Sequence, residues 1–238
     1  MRTPHSRVIL GAALATLSAC ATAGVGDEPR ANTLSRAERA AGWRLLFDGR
    51  TTAGWRSHRA DTIGAGWQVV DGALTRVAPA GDIVTVEQFR DFELELDWLI
   101  SPGGNSGIFY RVADEGDEVY LSGHEMQVLD DARHADGQSP LTSAGSVFGL
   151  YPAPRGVVHP AGRWNHARIV VSGEHVEHWL NGTRVAAFDI GSPDWNARVA
   201  ASKFASWAGF GRHPTGRIAL QDHGDRVAYR NIRIRVRQ

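Results

Sequence analysis

A single cysteine, Cys20, stands in the chain, which excludes an internal disulfide framework. A single lysine, Lys203, stands among the 26 basic residues; every other cation is arginine. The 26 acidic residues cancel the 26 basic ones, so no charge excess argues for a nucleic-acid partner. No apolar run approaches the ~20 residues that a membrane-spanning helix needs. Internal repeats and low-complexity segments are missing too.

What remains is a chain long enough for one large domain with a real core. Hydrophobic content of 42% and charged content of 22% are ordinary for a globular protein. Glycine is plentiful, tryptophan is frequent, and short runs of Val, Ile, Leu and Trp alternate with polar residues. That pattern argues an all-β fold.

The first residues read as a secretory leader. Arg2 and Arg7 precede an apolar run from Val8 to Leu17, followed by Leu17-Ser-Ala-Cys20. Those four residues resemble a bacterial lipobox. The expectation is a signal peptide over 1–19, lipid on Cys20, and a small, polar tether over 20–41. Membrane contact would then run only through the lipid. Ala21 after the cysteine resembles the pattern sent to the outer membrane, facing the periplasm. The domain itself is expected over 42–238.

Within it, strands and turns follow at short spacing. Asp71-Gly72 and Asn181-Gly182 are signals for two-residue hairpin turns. Phe92 to Ile100 alternates, with Phe92, Leu94, Leu96 and Trp98 facing in and Glu93, Glu95 and Asp97 facing out. Three irregular stretches, 113–122, 131–160 and 191–215, interrupt the strands; loops that long are usually functional. Evenly spaced antiparallel strands argue a β-sandwich or jelly roll.

Gly123 to Asp131 is the stretch with the most chemistry. On a strand, His124, Met126, Val128 and Asp130 share one face, and Glu125, Gln127 and Leu129 the other. Met126 and Val128 belong in a core, so Glu125 and Gln127 look outward together. Ile218 to His223 repeats the pattern: Ile218, Leu220 and Asp222 on one face, Ala219, Gln221 and His223 on the other. A carboxylate, two amides and an imidazole would thus line one open sheet face. Within the row Glu93, Glu95 and Asp97, the pair Glu95-Leu-Asp97 superficially resembles the strand-borne carboxylates of laminarinase-like glycosidases. No third carboxylate follows, and they read as a solvated outer face. Lys203 suggests a need for an amine, whose charge is compact and whose proton can leave. His134, His159 and His213 lie in loops. With His124 and His223 they are candidates for a divalent metal, but no pair has a recognised ligand spacing.

Seven motifs stand out: Ser101-Pro-Gly-Gly-Asn-Ser-Gly-Ile-Phe-Tyr-Arg111, Gly123-His-Glu-Met-Gln-Val-Leu-Asp-Asp131, Gly162-Arg-Trp-Asn165, His175-Val-Glu-His-Trp-Leu-Asn-Gly182, Ala201-Ser-Lys-Phe204, Ile218-Ala-Leu-Gln-Asp-His-Gly224 and Tyr229-Arg-Asn-Ile232. Together they resemble the bacterial 3-keto-disaccharide hydrolase family, also described as 3-keto-glucoside 1,2-lyase/3-keto-2-hydroxy-glucal hydratase. The resemblance covers about residues 42–237. It implies a concanavalin-like jelly roll, and cleavage of 3-keto-glycosides by elimination across C1–C2 followed by hydration. At Ser146-Val-Phe148 the family more often shows Ala-Leu-Tyr; Tyr151 is the nearby tyrosine.

That reaction needs a base near C2, a positive group at the enolate oxygen and an acid for the leaving group. By chemistry, Glu125 or His223 is the candidate base. Lys203, or a bound metal, is the candidate enolate stabiliser, and His134 the acid. Asn105, Gln127 and Gln221 are candidates to hold sugar hydroxyls. Arg111 is a candidate for sugar binding or for the strand edge. Two alternatives stand beside this. A non-catalytic carbohydrate-binding module of the same fold would use aromatic platforms such as Trp195 and Trp207. A retaining glycosidase would need two carboxylates about 5–5.5 Å apart.

Overall fold

The computed structural model describes residue 1 and residues 31–237. The leader and Cys20 therefore lie outside the described residues. No helix among those described is long and apolar enough to cross a membrane.

Alternation of apolar and polar residues yields thirteen strands among the described residues. In chain order they begin with β1 (Arg44–Leu45), β2 (Trp55–Ser57), β3 (Trp67–Val70), β4 (Ala73–Arg76), β5 (Ile83–Thr85) and β6 (Phe92–Ile100). Then come β7 (Asn105–Val112), β8 (His124–Leu129), β9 (Asn165–Ser172), β10 (His175–Leu180) and β11 (Thr183–Asp189). The last are β12 (Arg217–Leu220) and β13 (Val227–Val236). They form two antiparallel sheets. The larger runs β11-β10-β9-β6-β13-β4-β3, with β1 beside β13; the smaller runs β2-β5-β12-β7-β8. This is the concanavalin-like jelly-roll sandwich.

The two dipeptide turns close hairpins as expected. Asp71 and Gly72 have φ of 50° and 74°, Asn181 and Gly182 48° and 80°. Positive φ at both central residues is the type I′ signature, whose twist matches the flanking strands.

Between the sheets, Leu94, Leu96 and Trp98 of β6 meet Ile108, Met126, Val128, Ile218 and Leu220 of the smaller sheet. A second, small cluster lies on the outer face of the smaller sheet: Val84, Phe109, Val112, Val119 and Ala219. It forms because the 113–122 excursion folds back over that face. The outer face of the larger sheet carries Glu93, Glu95 and Asp97, as expected, but it is not merely solvated. Arg168 and Arg235 pair with Glu93, Arg233 with Glu95, and His166 and Arg230 with Asp97.

Residues 31–41, expected as the end of the tether, are docked on this sheet. Asn32 Nδ2 donates to Gly72 O at 2.8 Å, and Asn32 N to Asn231 Oδ1 at 2.6 Å. Helix α1 (Arg36–Ala40) follows, closed by a capping box between Ser35 and Glu38.

Candidate active site

Strand β8 sets the site. Met126 and Val128 are buried between the sheets, so Glu125 and Gln127 leave by the outer face. The register opposes Glu125 to Phe109, and Gln127 to Gly107. Gly107 leaves room for the carboxylate: a Cβ there would overlap Glu125 Oε1 and stand 2.7 Å from Phe109 Cε2. On the next strand Gln221 N donates to Gly107 O at 3.0 Å. Leu220 opposes Ile83, which sets Asp82 beside Gln221. One row across the sheet thus reads Gln127, Gly107, Gln221, Asp82.

The irregular stretches wall this row. A 3-10 turn, Val119–Leu121, brings Tyr120. Residues 145–148 extend β8 as an irregular edge: Gly145 N donates to Gln127 O at 2.8 Å, and Phe148 N to Glu125 O at 3.2 Å. That edge sets Phe148 beside Glu125. Helix α2 (Pro193–Ala200) is N-capped by Ser192, and a 3-10 turn, Lys203–Ser206, follows it. Trp195, Phe204 and Phe210 are buried and stack on one another, which pins the segment down. It carries Lys203 and Trp207 over the sheet.

The result is a cleft of about 310 Å³. Glu125, Lys203 and His223, far apart in sequence, line it together with Asn105, Gln127 and Gln221. Tyr120, Phe148 and Trp207 are its aromatic walls, and Asp136 adds a second carboxylate. A larger cavity, about 550 Å³, lies on the outer face of the larger sheet. Its charged groups are committed to each other or to neighbours: His166 to Asp97, and Arg233 to Glu38 and Glu95.

The cleft is the opposite case. Among the described residues Glu125 has no hydrogen-bond or ion-pair partner for its carboxyl, and Lys203 has no ion-pair partner. Asn105 Oδ1, Gln127 Oε1 and Gln221 Oε1 are buried without a hydrogen bond. Unpaired buried polar atoms are rare enough to ask for an explanation, and here three face one cleft. Burial pushes the Glu125 carboxyl up to about 8, with the Lys203 charge opposing and those of Asp82 and Asp136 adding. Burial likewise raises Asp82 to about 7, against the Asp222 N–H that donates to it at 2.8 Å. The Lys203 ammonium sits 4.5 Å from the Phe148 ring centre, and 5.5 Å from those of Phe204 and Trp207.

Other expected residues fall elsewhere. Arg111 is buried, donates to Gly173 O at 2.5 Å and lies 3.6 Å from Glu174. It adopts φ of 55°, a kink that breaks the alternation of β7. Phe109 and Val112 therefore share the outer face, and Arg111 is tied to the β9–β10 turn rather than to the cleft. His134 caps the turn Ala135–Gln138, its Nδ1 accepting from Asp136 N at 3.1 Å; it is Asp136 that reaches the cleft. Trp195 is a core residue at 4% exposure and offers no platform. Tyr151 donates to Asp194 at 2.7 Å and stacks on Phe188, so Phe148 alone holds the wall where the family's tyrosine is expected. His124 is buried and His159 bonds to Trp164 O. Among the described residues no three His, Cys, Asp or Glu side chains are grouped to hold a metal ion.

Sequence reasoning missed Asp82, Tyr120, Asp136 and Phe148. Alternation back from Val84 would have put Asp82 on the outer face. Nothing local marks the other three, because loop pairing delivers them.

Residues 42–235 match the model of the 3-keto-alpha-glucoside-1,2-lyase-like domain. A protein of Bacteroides thetaiotaomicron named 3-keto-disaccharide hydrolase is 34% identical over 229 residues, 83% of this chain and 79% of that one. A solved structure from Parabacteroides distasonis, described as a candidate glycosyl hydrolase, is 31% identical with a TM-score of 0.81. It covers 88% of this chain and 100% of its own. A second such structure from that organism is 30% identical with a TM-score of 0.65, over 82% and 99% of the two chains. The chain belongs to the family of 3-keto-alpha-glucoside-1,2-lyase-like domains.

Proposed function

We propose that this protein is a carbohydrate-cleaving enzyme that acts on 3-keto-glycosides, 3-keto-disaccharides above all, by elimination and hydration. Family membership supports the broader statement. The observation that carries the finer one is the unpaired Glu125 carboxyl, raised to about 8, in a cleft shared with the unpaired Lys203 ammonium. A proton acceptor works best with a pKa near the working pH.

A ketone at C3 makes the C2 proton acidic. Glu125, as carboxylate, takes that proton, and the electron pair moves into a C2=C3 enolate. Lys203 supplies positive charge for the enolate oxygen. The pair then returns to form C1=C2 as the C1–O bond breaks, and the leaving oxygen takes a proton. Water adds across C1=C2, oxygen to C1 and hydrogen to C2, giving the free 3-keto sugar. Asn105, Gln127 and Gln221 present acceptors for sugar hydroxyls. His223, exposed at the rim, is the second candidate for proton transfer.

The test is a substrate labelled with deuterium at C2. Elimination predicts a primary isotope effect on turnover and loss of label to water, with plain disaccharides left uncleaved. Equal turnover of plain and 3-keto disaccharides would refute the proposal. One observation favours that second outcome, direct hydrolysis: Asp136 puts another carboxylate in the same cleft.

We propose further that the mature protein is anchored in the cell envelope by lipid on Cys20, at the outer membrane facing the periplasm. Cys20→Ser should then leave the membrane fraction; unchanged fractionation would overturn the anchor.

A further inference from the structure

Trp207 does not only wall the cleft over Glu125. It also lines a second cavity of about 360 Å³. The two segments that build this cavity also supply one wall of the cleft. From the first, Tyr120 faces the cleft and the adjoining Leu121 faces the outer cavity. From the second, Lys203 faces the cleft while Ser206, Gly209 and His213 face the outer cavity. Tyr120 and Trp207 meet with ring centres 5.3 Å apart and form the divide.

The outer cavity has the composition of a sugar site. Leu121 and Trp207 offer apolar surface for the C–H face of a pyranose. Glu115, Ser206 and His213 offer polar groups for hydroxyls. Each cavity alone sits at the small end of ligand sites, which run from roughly 300 to 1,000 Å³. A disaccharide that crossed the divide would fill both, with its bridging oxygen at the edge of Trp207.

We infer that the cavity beyond Trp207 receives the leaving-group sugar of a disaccharide whose oxidised ring lies in the cleft over Glu125. This rests on the function proposed above. It makes disaccharides, rather than glycosides with small leaving groups, the preferred substrates.

Gly209 allows a direct test. A Cβ there meets nothing nearer than Leu121 O at 3.5 Å, and the residue needs no left-handed backbone. Gly209→Phe should therefore fill the cavity without strain in the turn. Ser206→Tyr, from an exposed rim position, is the companion variant if Gly209→Phe does not fold. The substrates are 3-keto-trehalose and methyl 3-keto-α-glucoside. The expected result is a fall of about tenfold or more in the ratio of their kcat/KM values, 3-keto-trehalose over the methyl glycoside. An unchanged ratio in a folded variant overturns the inference.

Calorimetric titration of both sugars keeps the two proposals apart. If the wild type turns over neither, the catalytic reading fails. The subsite still stands if 3-keto-trehalose binds more tightly than the methyl glycoside and Gly209→Phe abolishes the difference. It falls if the wild type binds both alike.

Discussion

The outer faces of the two sheets both carry carboxylates, and they treat them in opposite ways. On β6, Glu93 and Asp97 are surrounded by partners. Burial raises both, but the Arg235 and Arg168 bonds to Glu93, and the His166 and Asn231 bonds to Asp97, outweigh it and hold both carboxyls low. On the smaller sheet, Glu125 and Asp82 meet burial without a cation close enough to pair, and both rise toward neutrality. A partner makes a carboxylate structural; withholding one leaves it able to exchange a proton at working pH. The alternating pattern is the same on both strands. Function follows from what stands across from it.

The largest effect should come from removing the unpaired carboxyl. Glu125→Gln keeps size and hydrogen bonding but cannot take a proton. Turnover of a 3-keto-disaccharide should fall by roughly 10²–10⁴-fold. Glu95→Gln, on the paired row, should stay close to wild type in kcat; a matching loss there would break the comparison.

Next in size is Lys203→Arg. The charge survives, but the guanidinium is larger, flatter and does not give up its proton. A loss of about 10²-fold in kcat is expected, the usual scale for a displaced oxyanion-stabilising group. Wild-type rates in that variant would show that any cation suffices.

Gly107→Ala tests the floor of the cleft. The added methyl must displace both the Glu125 carboxylate and the Phe109 ring, at a cost of about 1–3 kcal/mol as overpacking. Chemical denaturation reads the stability. Turnover should fall more than stability alone explains, and an unaffected enzyme would mean that Glu125 need not lie over Gly107.

The smallest effects concern pH and stability, and here the two rows should differ in sign. Glu125 is raised in the folded state, so its contribution is complete below pH 4.5 and is lost as pH rises through about 8. Glu125→Gln should therefore raise the midpoint of thermal unfolding near pH 8 relative to wild type. Asp97 is lowered, so its contribution is present above pH 3.8 and is lost as pH falls through its lower folded value. Asp97→Asn should cost about 1.5–3 kcal/mol at neutral pH, and the difference from wild type should shrink in acid. Buried His124 and His178, pushed by burial to about 3 and about 4, also weaken the fold below pH 6.5. Comparing each variant with wild type at one pH removes that shared background. Same-sign behaviour of the two variants would erase the distinction between the rows.

Much of this was legible in the chain. The strict alternation of Phe92 to Trp98 and of His124 to Val128 told inside from outside. The Asp-Gly and Asn-Gly turns placed two hairpins. Glu125, Gln127 and Gln221 were found together because a sheet turns sequence parity into a shared face; His223 reaches the same cleft from beyond the end of β12, which stops at Leu220 rather than running to His223. Arg111 stood open between sugar binding and the strand edge, and its tie to the β9–β10 turn was hidden because parity fails where a non-glycine residue takes positive φ, and no local rule flags an arginine for that. His134 was misread because a ring nitrogen can cap a turn as well as transfer a proton. The partners that separate Glu93 and Asp97 from Glu125 come from β9 and β13, tens of residues away. Burial of Trp195 and the approach of Phe148 depend on how long segments fold back, which no window of neighbours contains.

Lys203 has a consequence outside catalysis. It carries the only primary amine on any side chain of the sequence, and it stands at the mouth of the cleft. Reagents that seek lysine, such as active esters, reductive alkylation and amine-coupled surfaces, have no decoy side chain elsewhere on the molecule. Acylation of that one nitrogen would remove its charge and crowd the entrance at once. With the α-amino group blocked, amine immobilisation would attach this protein by its own working site, and a ligand seated in the cleft would shield it. Once the α-amine is capped, an amine-directed label becomes a report on one cleft.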